Sequence, residues 1–140
     1  MTCTSGNGGI YGSCPGSLTE TRGGVKYFGN YIHGHLNTAS NVHTFYVSNR
    51  HPSSTPLTML PPEIGWCVLK DNATNHGLHT YDEGWNNGWT GPVKFHDNYV
   101  INQKGCGIDI AMATGTGMTD VTNEFQYNNN VLVNCGMAGS

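Results

Sequence analysis

Charge is the scarcest ingredient of this 140-residue chain. Lys and Arg total 6, Asp and Glu total 9, and the formal net charge is −3. Six scattered cations leave no electrostatic footprint for nucleic acid. Long apolar runs are missing as well. The longest purely aliphatic stretch is Val131-Leu132-Val133, far short of the roughly 20 residues a membrane-spanning helix needs. Neither nucleic acid nor a membrane is therefore expected as a partner. Residues 1–17 lack the charged and apolar regions of a signal peptide. Among Cys3, Cys14, Cys67, Cys106 and Cys135 there is no CxxC pair, which removes the usual sequence case for structural zinc or c-type haem. The odd number leaves at least one thiol unpaired within a monomer.

Small and turn-prone residues fill the space that charge vacates. Gly contributes 20, Asn 16 and Thr 15, all poor helix formers. Aromatics at 10% and a low net charge exclude disorder. The expected class is all-β.

Internal repeats carry more information than composition. Val25-Lys26-Tyr27-Phe28-Gly29-Asn30-Tyr31-Ile32 aligns without gaps on Val93-Lys94-Phe95-His96-Asp97-Asn98-Tyr99-Val100. Asn98-Tyr99-Val100-Ile101-Asn102 recurs as Asn130-Val131-Leu132-Val133-Asn134, and Val68-Leu69-Lys70-Asp71-Asn72 is a weaker copy. These copies mark an asparagine series Asn30, Asn72, Asn98, Asn130 at intervals of 42, 26 and 32 residues. A second block follows as Val42-His43-Thr44-Phe45, Leu78-His79-Thr80-Tyr81 and Ile108-Asp109-Ile110-Ala111. Short strands at such periods gain their partners and their core only by stacking.

On the stretches Asn98–Ile110 and Asn128–Gly136, the chain resembles the right-handed parallel β-helix superfamily, the pectate-lyase-like proteins. The resemblance covers roughly residues 25–137. It implies a solenoid of about four short coils over 25–140, with Asn stacked in an internal ladder. Residues 1–24 read as an irregular Gly/Ser/Thr-rich segment or cap. A β-sandwich with coincidental similarity is the competing fold. So short a stack leaves strand edges open, which predicts a fragment of a longer chain, a homo-oligomer or a packed N-terminal cap.

Strand side chains alternate between interior and solvent, and stacked strands lie about 4.8 Å apart. If Val42, Leu78 and Ile108 face inward, then His43, His79 and Asp109 form an outward column. Imidazole beside carboxylate suits acid–base chemistry near neutral pH, or capture of a divalent ion. Repulsion drives one imidazole neutral, and Asp109 beside His79 makes His43 that one. A solvated polar ladder is the plain alternative. Tyr81, Asp82, Glu83, Trp85 and Trp89 then supply aromatic faces and hydrogen-bonding groups suited to sugars, with Lys70 as a nearby cation. Stacked thiols are expected at Cys106 and Cys135.

The resemblance implies a polysaccharide partner, an extracellular or cell-surface setting, and a lyase or hydrolase activity. It also implies, as the sole cofactor, a divalent cation such as calcium. Beyond that option for His43, His79 and Asp109 the residues single out no metal ligands, and the three aspartates of galacturonan hydrolases are missing. A non-catalytic structural or adhesion module, tail-fibre-like or filamentous and assembling through its coil ends, is the alternative function.

Overall fold

The computed structural model describes residues 8–12, 22–35, 43–48, 58–82, 88–89, 92–112 and 125–136. Every regular element among them is a β-strand. The first circuit runs through β1 (Gly8–Gly12), β2 (Arg22–Gly23), β3 (Lys26–Phe28) and β4 (Tyr31–His35). The second comprises β5 (His43–Ser48), β6 (Thr58–Leu60), β7 (Glu63–Gly65) and β8 (Val68–Asn72). The third comprises β9 (Leu78–Asp82), β10 (Gly88–Trp89), β11 (Val93–His96) and β12 (Tyr99–Gln103). The described strands of the fourth are β13 (Ile108–Met112), β14 (Phe125–Asn128) and β15 (Val131–Cys135).

Each strand pairs in parallel with its counterpart one circuit away. The first sheet is β1-β5-β9-β13, the second β2-β6-β10, the third β3-β7-β11-β14 and the fourth β4-β8-β12-β15. This is an all-β architecture of stacked parallel sheets, compatible with a β-helix. Strands also form within the first 24 residues. Gly8 pairs with His43 and Arg22 with Met59, because a Gly-rich backbone can join a ladder without a side-chain pattern to announce it.

Register builds the core. Phe45, Leu78 and Ile108 share one column of the first sheet. Tyr27, Ile64, Phe95 and Tyr127 share one in the third, and Ile32, Leu69, Val100 and Leu132 one in the fourth. Phe45, Ile64, Leu69, Leu78, Phe95 and Val100 are fully buried. Burial fades at the last described circuit, where Val131, Leu132 and Val133 are exposed.

Two columns of left-handed backbone make the corners. One holds Gly29, Trp66, Asp97 and Asn129; the other holds Gly34, Asp71, Asn102 and Asn134. Asn and Asp tolerate this conformation better than other side chains, which explains most of both columns. Trp66, with φ of 53°, is the strained exception. The columns set the true period at 37, 31 and 32 residues.

That period corrects the asparagine series. The residue following each first-column corner is Asn30, Cys67, Asn98 or Asn130, so Cys67 occupies the place assigned to Asn72. Asn30 Nδ2 donates to Cys67 Sγ at 3.7 Å, and the Cys67 amide donates to Asn98 Oδ1 at 2.8 Å. Asn98 N and Nδ2 both donate to Asn130 Oδ1, at 3.1 and 3.0 Å. Asn72 instead pairs in register with Gln103, and with Thr44 the two form a buried polar knot. The thiols also differ from expectation. Cys135 lies opposite Gln103, not Cys106; Cys106 is exposed and both are free.

Close stacking leaves no room at Gly77. A Cβ there would sit 2.5 Å from Val100 Cγ1 and 2.6 Å from the Gly107 carbonyl oxygen. Gly77→Ala should therefore lower stability by about 1–3 kcal/mol, the usual range for overpacking. Urea denaturation measures it, and an unchanged midpoint would show that adjacent circuits are not in this contact.

Candidate functional site

Alternation on β9 buries Leu78 and Thr80 and leaves His79 and Tyr81 half-buried on the outer face of the first sheet. Neighbouring strands bring Tyr46 and Asp109 into register with His79. His79 Nδ1 lies 2.6 Å from Asp109 Oδ2. A ring nitrogen this close to a carboxylate carries the hydrogen and donates it, which fixes the tautomer and leaves Nε2 as the lone-pair nitrogen.

His43 reaches this group by another route than the one expected. Phe45, not Val42, pairs with Leu78, and Tyr46, not His43, pairs with His79. The register slips by three residues, so His43 enters from the start of β5 and not along the column. Its ring still stacks on His79 at a centroid separation of 4.3 Å and an interplanar angle of 10°. His76, at the corner before β9, stacks on His43 at 5.3 Å and on His79 at 5.6 Å. The three imidazoles form one pile against the Asp109 carboxylate, which lies 3.7 Å from His76 Nε2.

The turn before β13 positions His76. The Cys106 amide donates to His76 Nδ1 at 2.9 Å, so that nitrogen carries the lone pair. Gly105 makes room, since a Cβ there would lie 2.8 Å from His76 Nδ1. Tyr46 stacks on His79 at 5.2 Å, and Tyr81 does so at 5.9 Å.

Two rings of the pile, His43 and His76, are tuned toward neutral imidazole. His43 is only 6% exposed, and its pKa falls from 6.5 to about 4, chiefly through burial and then through repulsion by His79 and His76, with Asp109 opposing. Burial also lowers the pKa of His76. Tyr127, whose hydroxyl lies 3.3 Å from Thr80 Oγ1 beneath Asp109, is pushed up to about 12 by burial and offers no phenolate base. Among the described residues one buried side-chain atom stands out: His43 Nδ1 has no hydrogen-bond partner.

Linkage gives a pH prediction. The unfolded chain takes up a proton on His43 below about pH 6.5, while the folded chain resists until about pH 4. Stability should therefore fall by about 2 kcal/mol between pH 7 and pH 5 from this residue, and level off below pH 4. His43→Gln should flatten that slope in urea titrations in metal-free buffer. An equal slope in both proteins would contradict the buried neutral imidazole.

Of the residues singled out in the sequence, His43, His79, Asp109 and Tyr81 come together. Lys70 does not: it lies on β8 in the fourth sheet, with its ammonium 3.4 Å from Asp71. Asp82 and Trp89 are described as backbone only, ending β9 and forming β10. Glu83 and Trp85 lie outside the described residues, as do Cys3 and Cys14. His76 and Tyr46 are members that the sequence does not single out, and Cys106, expected in a thiol stack, instead meets His76 through its amide. The His76-x-x-His79 spacing across a strand entry was the available signal for the first of them.

Comparison with family models, with curated proteins and with solved structures finds no match to this chain.

Proposed function

We propose that the chain is a parallel β-helix of pectate-lyase-like type that works outside the cell on a polysaccharide laid across the outer face of the first sheet. The observation that carries this reading is the His79–Asp109 pair at 2.6 Å, flanked by the rings of Tyr46 and Tyr81. A sugar ring stacks on such aromatic faces. His79 Nε2 is then the base, and Asp109 stabilises the imidazolium that forms.

The chemistry favours elimination over hydrolysis. Glycoside hydrolysis uses two carboxyl groups flanking the bond, whereas Asp109 is the one carboxylate among the described side chains of this cluster and is committed to His79. In elimination, His79 Nε2 takes the proton α to a uronate carboxyl group. That C–H electron pair becomes a C=C bond, the glycosidic C–O bond breaks, and the leaving oxygen takes a proton from solvent water while the His79 imidazolium later returns its own to solvent. The test is incubation with a panel of uronate-containing and neutral polysaccharides. Ultraviolet absorbance from unsaturated products is expected on a uronate polymer. Reducing ends without absorbance would indicate hydrolysis, and no turnover with binding on a glycan array would leave a lectin-like module. Absence of both turnover and binding would remove the reading.

The exposed Val131, Leu132 and Val133 on β15, at the edge of the fourth sheet, favour a second reading, assembly through stacked ends. Light scattering decides it: mass should rise with concentration, and a strict monomer would end it.

A further inference from the structure

The buried, unpartnered His43 Nδ1 has no use in the proton-transfer reading. Neither does the convergence of donors around it. Ring nitrogens of His43, His76 and His79 lie within 4.8 Å of one another, and a second group of His76, Cys106 and Asp109 meets the same limit. The two groups share His76 and adjoin at the His79–Asp109 contact, so five potential ligands lie in two neighbouring triads.

We propose that this cluster is a binding site for a single late-transition divalent ion of the zinc class, held by His43, His76 and His79. The ligand atoms follow from the hydrogen bonds. His79 offers Nε2, because Asp109 holds the hydrogen on Nδ1. His76 offers Nδ1, which already accepts the Cys106 amide hydrogen and exchanges it for the ion. His43 offers Nδ1, buried and without a hydrogen-bond partner. Cys106 Sγ lies with His76 and Asp109 in the second group, and its nearness to His76 makes it the candidate fourth ligand. Asp109 acts from behind His79, raising its basicity as carboxylates do behind metal-bound imidazoles.

Donor chemistry selects the ion. Three imidazoles and a thiol suit Zn²⁺, Co²⁺ or Ni²⁺, whereas calcium takes six to eight oxygen ligands, which this cluster does not supply. Stacked rings hold their lone pairs side by side. Capture at about 2.0–2.1 Å therefore requires the imidazoles to tilt toward the ion, a motion open to the half-buried His76 and His79, which close on the buried His43. The ion takes the same His79 Nε2 that the proposed base uses, so zinc should inhibit any glycan turnover and not support it.

Calorimetric titration of the metal-free protein with ZnCl₂, without any glycan, is the test. One equivalent should bind, with no heat from CaCl₂ or MgCl₂. His43→Ala and His79→Ala should each weaken binding by more than about 100-fold, and Asp109→Asn by about 10–100-fold, the range for groups that orient a ligand. Wild-type protein titrated with CoCl₂ gives a readout that no variant can spoil: intense visible bands of tetrahedral Co²⁺. Absent zinc binding, octahedral cobalt spectra, or full affinity in folded His43→Ala and His79→Ala proteins would each overturn the proposal. Zinc binding without any glycan effect would sink the polysaccharide reading alone, and turnover without zinc uptake would sink the metal site alone.

Discussion

Asn98→Ala should cost about 4 kcal/mol of folding stability. The Asn98 side chain is fully buried and closes three hydrogen bonds between circuits. Its Oδ1 accepts from the Cys67 amide, and its Nδ2 donates to the Ile64 carbonyl at 3.1 Å and to Asn130 Oδ1. Alanine leaves the Cys67 N–H without a partner in a place water does not reach, at about 1–3 kcal/mol, and removes two further hydrogen bonds at about 1 kcal/mol each. Asn30→Ala, at the half-buried end of the same ladder, should cost less than about 1 kcal/mol, because its amide makes only long bonds to Cys67 Sγ and to the carbonyl of the exposed Phe28. Urea midpoints of the two variants, with faster exchange of the Cys67 amide in the first, provide the check. Equal losses would mean that the ladder is not the internal seam described above.

His79→Ala should reduce turnover of a uronate polymer by about 10²–10⁴-fold, the usual share of a general base, with the β-rich circular dichroism spectrum unchanged. The side chain sits on the outer face, so its removal opens no core cavity. Asp109→Asn should fall between, because the amide keeps a neighbour beside Nδ1 but loses the charge that stabilises imidazolium. An undiminished rate in His79→Ala would reduce the imidazole pile to a solvated ladder.

The parallel stacking was legible in the sequence because whole strands recur. Val25–Ile32 and Val93–Val100 do share a register, but two circuits apart: Lys26 and Lys94 each pair with Glu63 between them. The intervening copy was invisible as a motif. Trp66 and Cys67 stand where Asp97 and Asn98 stand, meeting the same backbone demand with unrelated side chains. A left-handed φ is a property of the corner, and no residue identity announces Trp in it.

The site was half legible for a related reason. His79 over Asp109 follows from simple alternation in adjacent strands, and Leu78 opposite Ile108 anchors that register. His43 was aligned by the resemblance of His43-Thr44-Phe45 to His79-Thr80-Tyr81, while burial of Phe45 opposite Leu78 decides the pairing instead. A slip of an odd number of residues moves a side chain to the other face. Only its place at the strand entry, next to the corner residue His76, returns His43 to the pile. His76 and Cys106 lie in corners, where periodicity gives no guide to direction.

The account rests on an imidazole locked by a carboxylate, with Nε2 presented as a lone pair. Long-range ¹H–¹⁵N spectra of the metal-free protein at neutral pH test that claim most directly. His79 should show a protonated Nδ1 and an unprotonated Nε2 in slow exchange, and Asp109→Asn should release it into a mixture of tautomers. A His79 ring found with its hydrogen on Nε2, or already averaging between tautomers in the unaltered protein, would contradict the account.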